Sequence, residues 1–348
     1  MKKKSTEDIR TICVCGGGGQ CHAVAPWLTL KGYKVNILTN RPNEWDYRSF
    51  KLNTPEGLSY NVHLGEISND PKDVIPDADV IILTVPGFAN EKELERIKPY
   101  LKKDAFVGGI FSSNGFFLAA LKVLGNNYPL WGFQRVPFIG KVKEYGKEGN
   151  LLGYKKEFVI AVENCSEIGG KEFCKWVENA FGQPTKLMSH YLEVTLSNSN
   201  PILHPARIYT WLKNWNGNIL KNNPLFYEEW TDEASQVYID LDVDLHNLIK
   251  ALPINDDCLP SVLEYYNQGD AKTLSHKIQS IESFKNIRMP VNQVENGFLP
   301  DFSSRYFSED FLIGLQLIYD LAKEYKVSVP TVDKVYLWGI DLINNQVD

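Results

Sequence analysis

The chain has 348 residues, with 37 Lys and Arg against 43 Asp and Glu, and a formal net charge of −6 at pH 7. This length predicts two domains, and the acidic balance argues against binding to nucleic acid or anionic lipid. No uninterrupted apolar run is long enough to span a bilayer, so no membrane partner is expected.

The start of the chain predicts a cytoplasmic protein. Met1-Lys2-Lys3-Lys4 resembles the basic region of a signal peptide, but polar residues 5–8 follow in place of an apolar core. The six cysteines show no paired C-x-x-C spacing and no accompanying histidine pattern. We therefore predict neither a disulfide framework nor a metal site, and we expect Cys13 and Cys15 to be buried thiols on a strand.

Residues 11–30 predict a strand, a glycine turn and a helix in that order. Backbone N–H groups of such a turn, together with the N-terminal end of the helix dipole, bind a pyrophosphate. Cys21 departs from the usual fingerprint, which has glycine or alanine at this position. The predicted dinucleotide-binding residues of this turn are Gly16, Gly17, Gly18, Gly19, Gln20 and Cys21.

The end of the second predicted strand, 34–39, indicates the cofactor. An acidic residue here would hold the ribose 2′-hydroxyl of NAD, whereas NADP requires its absence and a nearby arginine. The chain reads Thr39-Asn40-Arg41, so Asn40 can donate to a 2′-phosphate and Arg41 can clamp it or stack over the adenine. We predict a preference for NADP, with NAD the second choice; the alternative is that Arg41 is a solvated loop residue.

Further strands over 80–86, 105–111, 130–138 and 157–162 predict an α/β domain of the Rossmann type with a parallel, doubly wound sheet. Residues 52–64 are ambiguous, with a short hairpin as one interpretation, and a lysine- and glycine-rich surface hairpin is expected before residue 157. In such sheets ligands bind at the carboxyl ends of the strands. Candidate contacts for the nicotinamide and its ribose, or alternatively plain turn residues, are Val85, Pro86, Ser112 and Asn114.

This dinucleotide-binding domain is predicted to span residues 1–188, and an all-α domain to span 189–348. Helical patterns in the second domain, joined by proline-bearing turns, cover 207–220, 235–252, 261–267, 272–287, 309–325 and 331–343.

Two stretches of the second domain carry candidate catalytic residues. We expect Pro205 to occupy the first position of a helix, which would place His204 at the helix entrance and facing a cleft. The alternative is a surface histidine. Ser308 is predicted to cap the helix over 309–325, so Asp310 would lie in the first turn of that helix. A carboxylate is favoured there by the helix dipole, which would explain Asp310 without a catalytic role.

Three elements together resemble the octopine/nopaline (opine) dehydrogenase family: Asn200-Pro-Ile-Leu-His204-Pro205, Arg305-Tyr306-x-x-Glu309-Asp310, and the glycine turn leading into His22-Ala23. The resemblance covers both domains. It implies an NAD(P)H-dependent enzyme that joins a 2-oxo acid to the amino group of an amino acid and reduces the resulting imine. Its partners would then be these two small molecules.

The resemblance also implies individual roles. His204 would be the catalytic histidine, Asp310 the carboxylate paired with it, and Arg305 the group that binds a substrate carboxylate. Asn198 and Asn200 would either bind substrate or support the turn. Two other functions stay open: a reductase of a free 2-oxo acid, similar to ketopantoate reductases, and a dinucleotide-binding sensor without turnover. The substrate pair is not predicted, and the oligomeric state stays open, with a homodimer as one alternative.

Overall fold

The computed structural model describes residues 6–344 except 256 and 258, and its contacts divide the chain into two compact units, Met1–Asn198 and Ser199–Asp348. In the described residues, no helix combines the length and the apolar character that crossing a membrane requires.

The first unit alternates strands with helices. Its strands are β1 Thr11–Cys15, β2 Lys34–Leu38, β3 Phe50–Asn53, β4 Ser59–Val62, β5 Ile67–Ser68, β6 Val80–Leu83, β7 Phe106–Gly109, β8 Leu130–Phe133, β9 Phe138–Glu144, β10 Glu148–Tyr154, β11 Phe158–Glu163 and β12 Thr185–Met188. Its helices are α1 Gly19–Leu30, α2 Pro71–Val74, α3 Asn90–Ile97, α4 Phe116–Leu124, α5 Glu167–Phe181 and α6 Tyr191–Thr195.

The main sheet has the order β12-β11-β8-β7-β6-β1-β2-β5, and its neighbouring strands are parallel except β8 and β11. Alternate residues of β1 enter two different apolar clusters, because side chains of a strand point to opposite faces. Ile12 and Val14 belong to one cluster, and Cys13 and Cys15 to the other. The predicted Rossmann-type sheet and the two buried thiols are confirmed.

A second sheet, in the order β4-β3-β10-β9, lies beside the first turn of α1. Both predicted hairpins are present in it, and β3 pairs with β10 in parallel. Gly19 approaches the backbone of Gly140 so closely that a Cβ atom on either residue would overlap the other's carbonyl oxygen. The β9–β10 hairpin therefore packs directly on the predicted dinucleotide turn.

The end of the first unit includes α6, which packs on β11 and β12. The division of contacts after Asn198 places this short helix in the first unit. The predicted domain boundary after residue 188 lies before α6 and stays a prediction.

The second unit is mainly helical. Its helices are α7 Asn200–Leu212, α8 Asp232–Ala251, α9 Val262–Tyr266, α10 Ala271–Gln279, α11 Gln316–Glu324 and α12 Pro330–Asn344, and a π-helix, Tyr306–Leu315, precedes α11. A hairpin of β13 Val291–Val294 and β14 Gly297–Pro300 is an addition to the predicted helices. Its two-residue turn is Glu295-Asn296, with a positive φ of 70° at Asn296, and Gly297 at the start of β14 has a φ of 154°.

Two helix starts differ from the sequence prediction. The helix that contains His204 begins at Asn200, with Pro201 in its first turn, so Pro205 and His204 lie inside the helix. Pro205 has no N–H to donate to the carbonyl of Pro201, four residues earlier, so α7 lacks one helical hydrogen bond there. Ser308 likewise does not cap a helix: the π-helix begins at Tyr306, and the Ser308 hydroxyl donates to the carbonyl of Ser304.

Candidate active site

Two glycines of the turn in the first unit have close neighbours, and a third opens on free space. Gly16 has a φ of 139° and lies against Thr84, and a Cβ on Gly17 would come within 2.5 Å of the Tyr145 hydroxyl oxygen. Nothing lies within 4 Å of the position that a Cβ on Gly18 would take. Gly18 precedes α1 and has no side chain to cap it. This open helix start fits the pyrophosphate of a dinucleotide.

A cavity of about 280 Å³ adjoins this turn and the carboxyl ends of β2 and β6. Several predicted cofactor-binding residues line it, and Thr39, Glu93, Arg96 and Tyr145 join them. Its predicted lining residues are Gly16, Gly17, Asn40, Arg41 and Val85.

Arg41 lies over an aromatic ring at this cavity. Its guanidinium carbon is 3.5 Å from the centre of the Tyr145 ring, and its Nη1 donates to Glu44 at 3.3 Å. About half of each side chain in this ion pair is exposed, 53% for Arg41 and 50% for Glu44. The stacked guanidinium therefore keeps one face and several N–H groups for a ligand.

His22 connects the glycine turn to the tip of the β9–β10 hairpin. Its Nδ1 lies 3.0 Å from the Gly18 carbonyl, which can only accept, and its Nε2 accepts from the Gly146 N–H at 2.8 Å. The imidazole is therefore neutral with the proton on Nδ1. Burial lowers the pKa of His22; the bond to Gly18 opposes this shift, and the charge of Arg41 adds to it. Trp45 and Tyr145 pack on the same ring.

The remaining predicted cofactor residues have structural contacts. Gln20 donates to the Phe138 carbonyl at 2.9 Å and so helps to hold the hairpin. Cys21 is fully buried, and burial raises the pKa of its thiol. Ser112 is also fully buried and donates to the Phe133 carbonyl at 2.6 Å.

Pro86 precedes a short turn of helix, Gly87–Ala89. Asn114 ends another, Ser112–Asn114, and its side chain lies outside the described part of the structure, as does Cys258.

In the second unit, α7 and the π-helix bring His204 and Asp310 together. The His204 Nδ1 atom lies 2.7 Å from an Asp310 carboxylate oxygen, although 106 positions separate the two residues. His204 is 7% exposed. The two helices approach closely at Gly314, where a Cβ would lie 2.5 Å from Pro201 Cγ. This pair can orient the imidazole and stabilise its charged form.

The second nitrogen of His204 contacts a tyrosine. Its Nε2 lies 2.8 Å from the hydroxyl oxygen of Tyr227, a residue that is 5% exposed. Tyr306 packs edge-on against the imidazole with 4.5 Å between ring centres, and it also stacks on Phe226. Burial raises the pKa of Tyr227 strongly, and the charges of Tyr306 and Asp310 add to this shift.

The other predicted substrate residues lie at different positions. Arg305 directly precedes the π-helix; its side chain is 75% exposed and donates to Glu309 at 2.9 Å. Asn200 is the first residue of α7, and Asn198 is the last residue of the first unit. In the described residues, no group of His, Cys, Asp and Glu side chains has the arrangement of a metal site.

Sequence reasoning did not identify Tyr145, Arg207 or Tyr227. Arg207 is 5% exposed, and its Nε donates to the Phe226 carbonyl at 3.0 Å. Burial lowers its pKa to about 10. It lies three residues after His204, which places both on one face of a helix. That spacing was the available signal for Arg207, whereas Tyr145 and Tyr227 come from loops that no local pattern links to the site.

Two family models match separate parts of the chain. Residues 187–343 match the alpha-helical domain of NAD/NADP octopine/nopaline dehydrogenase. Residues 12–124 match ketopantoate reductase PanE/ApbA.

Similar proteins match over nearly the whole chain. Octopine dehydrogenase from Mizuhopecten yessoensis is 29% identical over 364 residues, which cover 95% of this chain and 90% of the relative. A solved structure of octopine dehydrogenase with NADH and L-arginine has a TM-score of 0.85 at 25% identity and covers 96% of this chain and 90% of its own. Another, with NADH and pyruvate, has a TM-score of 0.80 at 26% identity and covers 96% and 89%.

Proposed function

Because the chain belongs to the NAD/NADP octopine/nopaline dehydrogenase family, we propose that it catalyses the reductive condensation of an amino acid with a 2-oxo acid. The observation that carries this proposal is the buried His204–Asp310 pair, which lies inside the region matched by the family's helical domain. The amine, the 2-oxo acid, NAD(P)H and one proton give an N-(carboxyalkyl)amino acid, NAD(P)⁺ and water.

In this proposal the second unit manages the protons. Forming the imine requires a proton on the departing carbonyl oxygen and the loss of protons from the amine. His204 supplies and removes these protons, while Asp310 holds the Nδ1–H and so keeps the other nitrogen available for transfer. NAD(P)H, when bound, supplies the hydride that reduces the imine carbon.

The first unit would hold that cofactor. Residues 16–21 would face the pyrophosphate, since Gly18 opens on free space at the start of α1. Val85, Pro86, Ser112 and Asn114 stay candidates for the nicotinamide and its ribose.

Arg305 would bind the carboxylate of the 2-oxo acid through its guanidinium fork. The Arg305 side chain is exposed and donates to Glu309 through Nη2, which leaves other N–H groups for a ligand. Replacing Arg305 by Met should raise the KM for the oxo acid at least tenfold, about 1.4 kcal/mol of binding. Steady-state kinetics at saturating amino acid measure this. An unchanged KM for the oxo acid would remove Arg305 from this role; Asn198 and Asn200 then become the residues to replace.

We further propose that NADPH is preferred over NADH. The three residues directly after β2, Thr39-Asn40-Arg41, include no acid, and both Asn40 and Arg41 line the cavity beside the glycine turn. Replacing Arg41 by Ala should raise the KM for NADPH about tenfold and change that for NADH much less, since only NADPH carries the 2′-phosphate. Glu44→Ala is the matched control, because it removes the partner of Arg41 but keeps the cation. Equal effects of Arg41→Ala on the two cofactors would contradict the preference.

One substrate test separates this function from its rivals. The match of residues 12–124 to ketopantoate reductase makes reduction of a free 2-oxo acid the second candidate. We would measure NADPH oxidation with pyruvate alone, and then with pyruvate and each amino acid in turn, and identify the product by its mass. Oxidation that needs both substrates supports condensation. Oxidation with the oxo acid alone supports the reductase, and tight NADPH binding without turnover supports a sensor.

A further inference from the structure

Both nitrogens of the His204 imidazole are occupied by groups of this chain. Asp310 accepts at Nδ1, 2.7 Å away, and the Tyr227 hydroxyl lies 2.8 Å from Nε2. The Nδ1 side cannot deliver a proton to a reactant while the carboxylate holds it. On the Nε2 side, the Tyr227 hydroxyl is the first atom that a departing proton meets. A reactant can therefore exchange a proton with His204 only through Tyr227 or after Tyr227 has moved.

Tyr227 is firmly held in this position. Its ring stacks on Phe284 with 4.1 Å between ring centres and an angle of 18°. The backbone just before it is bonded to a neighbouring segment: the Phe226 N–H donates to the Ile287 carbonyl, and the Met289 N–H to the Pro224 carbonyl. Moving the ring aside would break the packing of a nearly fully buried side chain.

Arg207 ties the same segment to the helix that carries His204. Its Nε donates to the carbonyl of Phe226, the residue directly before Tyr227. His204 and Arg207 belong to one face of α7, so the helix fixes the imidazole and the tyrosine segment relative to each other. Tyr306 adds a further contact, because its ring stacks on that of Phe226, the residue directly before Tyr227, with 4.8 Å between ring centres.

We propose that Tyr227 is a catalytic residue that relays the proton between His204 and the reacting oxygen of the substrate. This inference rests on the proposed function and extends it. As the amine nitrogen forms its bond to the carbonyl carbon, the C=O π bond breaks and the carbonyl oxygen takes the proton of the Tyr227 O–H. The tyrosine oxygen simultaneously takes the proton from His204 Nε2. The imidazole and the phenol end neutral, the carbon carries a hydroxyl group, and the positive charge has moved to the newly bonded nitrogen.

The electrostatics of Tyr227 suit a relay without a free phenolate. Burial raises the pKa of Tyr227, and the charges of Tyr306 and Asp310 raise it further. A phenolate at this position would be costly. The two proton movements must therefore occur together.

The main test replaces Tyr227 by Phe, which keeps the ring and removes the hydroxyl. We expect kcat to fall by about two to four orders of magnitude, with the KM for NADPH changed only a few-fold. Tyr336→Phe is the control: Tyr336 is 9% exposed and packs on Tyr319, away from His204. Thermal unfolding of both variants checks folding. A Tyr227→Phe enzyme within about threefold of the wild-type kcat would overturn the relay.

Single turnovers in mixtures of H₂O and D₂O separate a relay from a merely structural role. Two protons moving together make the rate of the wild-type enzyme depend on the deuterium fraction with a curve, whereas one moving proton gives a straight line. A straight line for the wild-type enzyme would contradict the relay.

A measurement on the imidazole itself separates this inference from the proposed function. In the ¹⁵N NMR spectrum of the histidines, Tyr227→Phe should shift the Nε2 signal of His204, since it removes the hydrogen-bond partner. If the wild-type chain turns over no substrate pair, the proposed function fails whatever this spectrum shows. If it turns over and the Nε2 signal does not respond to Tyr227→Phe, the relay fails and the function stands.

Discussion

Two histidine–aspartate pairs in the described part of the second unit differ in what their second nitrogen contacts. His204 pairs with Asp310 through Nδ1 and leaves Nε2 to the hydroxyl of Tyr227, which can both donate and accept. His246 pairs with Asp242, one helical turn away, at 3.4 Å. Its Nδ1 also faces the Asp242 carbonyl at 2.9 Å, and its Nε2 faces the Leu259 carbonyl at 3.1 Å.

The carbonyl partners give His246 a structural role. Carbonyl oxygens only accept, so both nitrogens of His246 are best satisfied as donors, which is the charged imidazolium. The hydrogen bond to Asp242 raises the pKa of His246 to about 9, against the opposing effect of burial. Asp242 also accepts from the Val262 N–H, so the pair joins α8 to the start of α9. A carboxylate beside a histidine therefore does not identify a catalytic pair; the partner of the other nitrogen does.

The strongest way to break this comparison is to replace both histidines by Gln. His204→Gln should lower turnover by about two to four orders of magnitude while NADPH binding persists, because the proton-transferring group is lost. His246→Gln should keep kcat close to the wild-type value. Steady-state kinetics and cofactor titration measure both effects. Comparable activity in the His204→Gln enzyme would remove the assigned role.

A smaller loss of turnover is expected when Asp310, the carboxylate of the proposed catalytic pair, is replaced. Asp310→Asn keeps the shape but cannot stabilise an imidazolium, so kcat should fall by roughly ten- to a thousand-fold. The matched variant Asp242→Asn should lower the thermal midpoint and leave kcat nearly unchanged. If Asp242→Asn cost as much turnover as Asp310→Asn, the two pairs would not differ as argued.

The smallest expected effect is a dependence of stability on pH. The pKa of His246 is about 9 in the folded chain, against an ordinary value of 6.5. A histidine whose pKa is raised on folding stabilises the folded chain fully below pH 6.5. This stabilisation is lost as the pH rises through about 9. The thermal midpoint of the wild-type protein should therefore fall more steeply between these pH values than that of His246→Gln. Parallel curves for the two proteins would contradict the charged state.

Local sequence patterns were sufficient to predict the glycine turn of the first unit and the elements beside it. The alternation in β1 and the glycine turn each depend on residues close in sequence, so the strand, the turn and α1 could be predicted from the chain itself. The contact of Tyr145 with this turn could not be predicted in the same way. The lysine- and glycine-rich stretch indicated a hairpin but not what the tip of that hairpin contacts.

The prediction that His204 and Asp310 form a catalytic pair depended on the family resemblance rather than on spacing. His204 and Asp310 meet across 106 positions, and no periodicity links them. The prediction placed the helix start at Pro205, whereas Pro201 occupies the first turn, and either proline is compatible with such a position. The π-helix had no sequence signal, because its wider hydrogen bonding is set by packing rather than by residue preference.

The contact between Gly314 and Pro201 sets the distance between the two helices that carry His204 and Asp310. A single added methyl group at residue 314 would meet the proline ring and force α7 and the π-helix apart. A hydrogen bond of 2.7 Å between Nδ1 and the carboxylate tolerates only a few tenths of an ångström of such separation. Gly314 and Pro201 carry no reactive group, yet their contact decides whether the His204–Asp310 hydrogen bond forms. Substitutions at these two residues should abolish turnover before they unfold the protein.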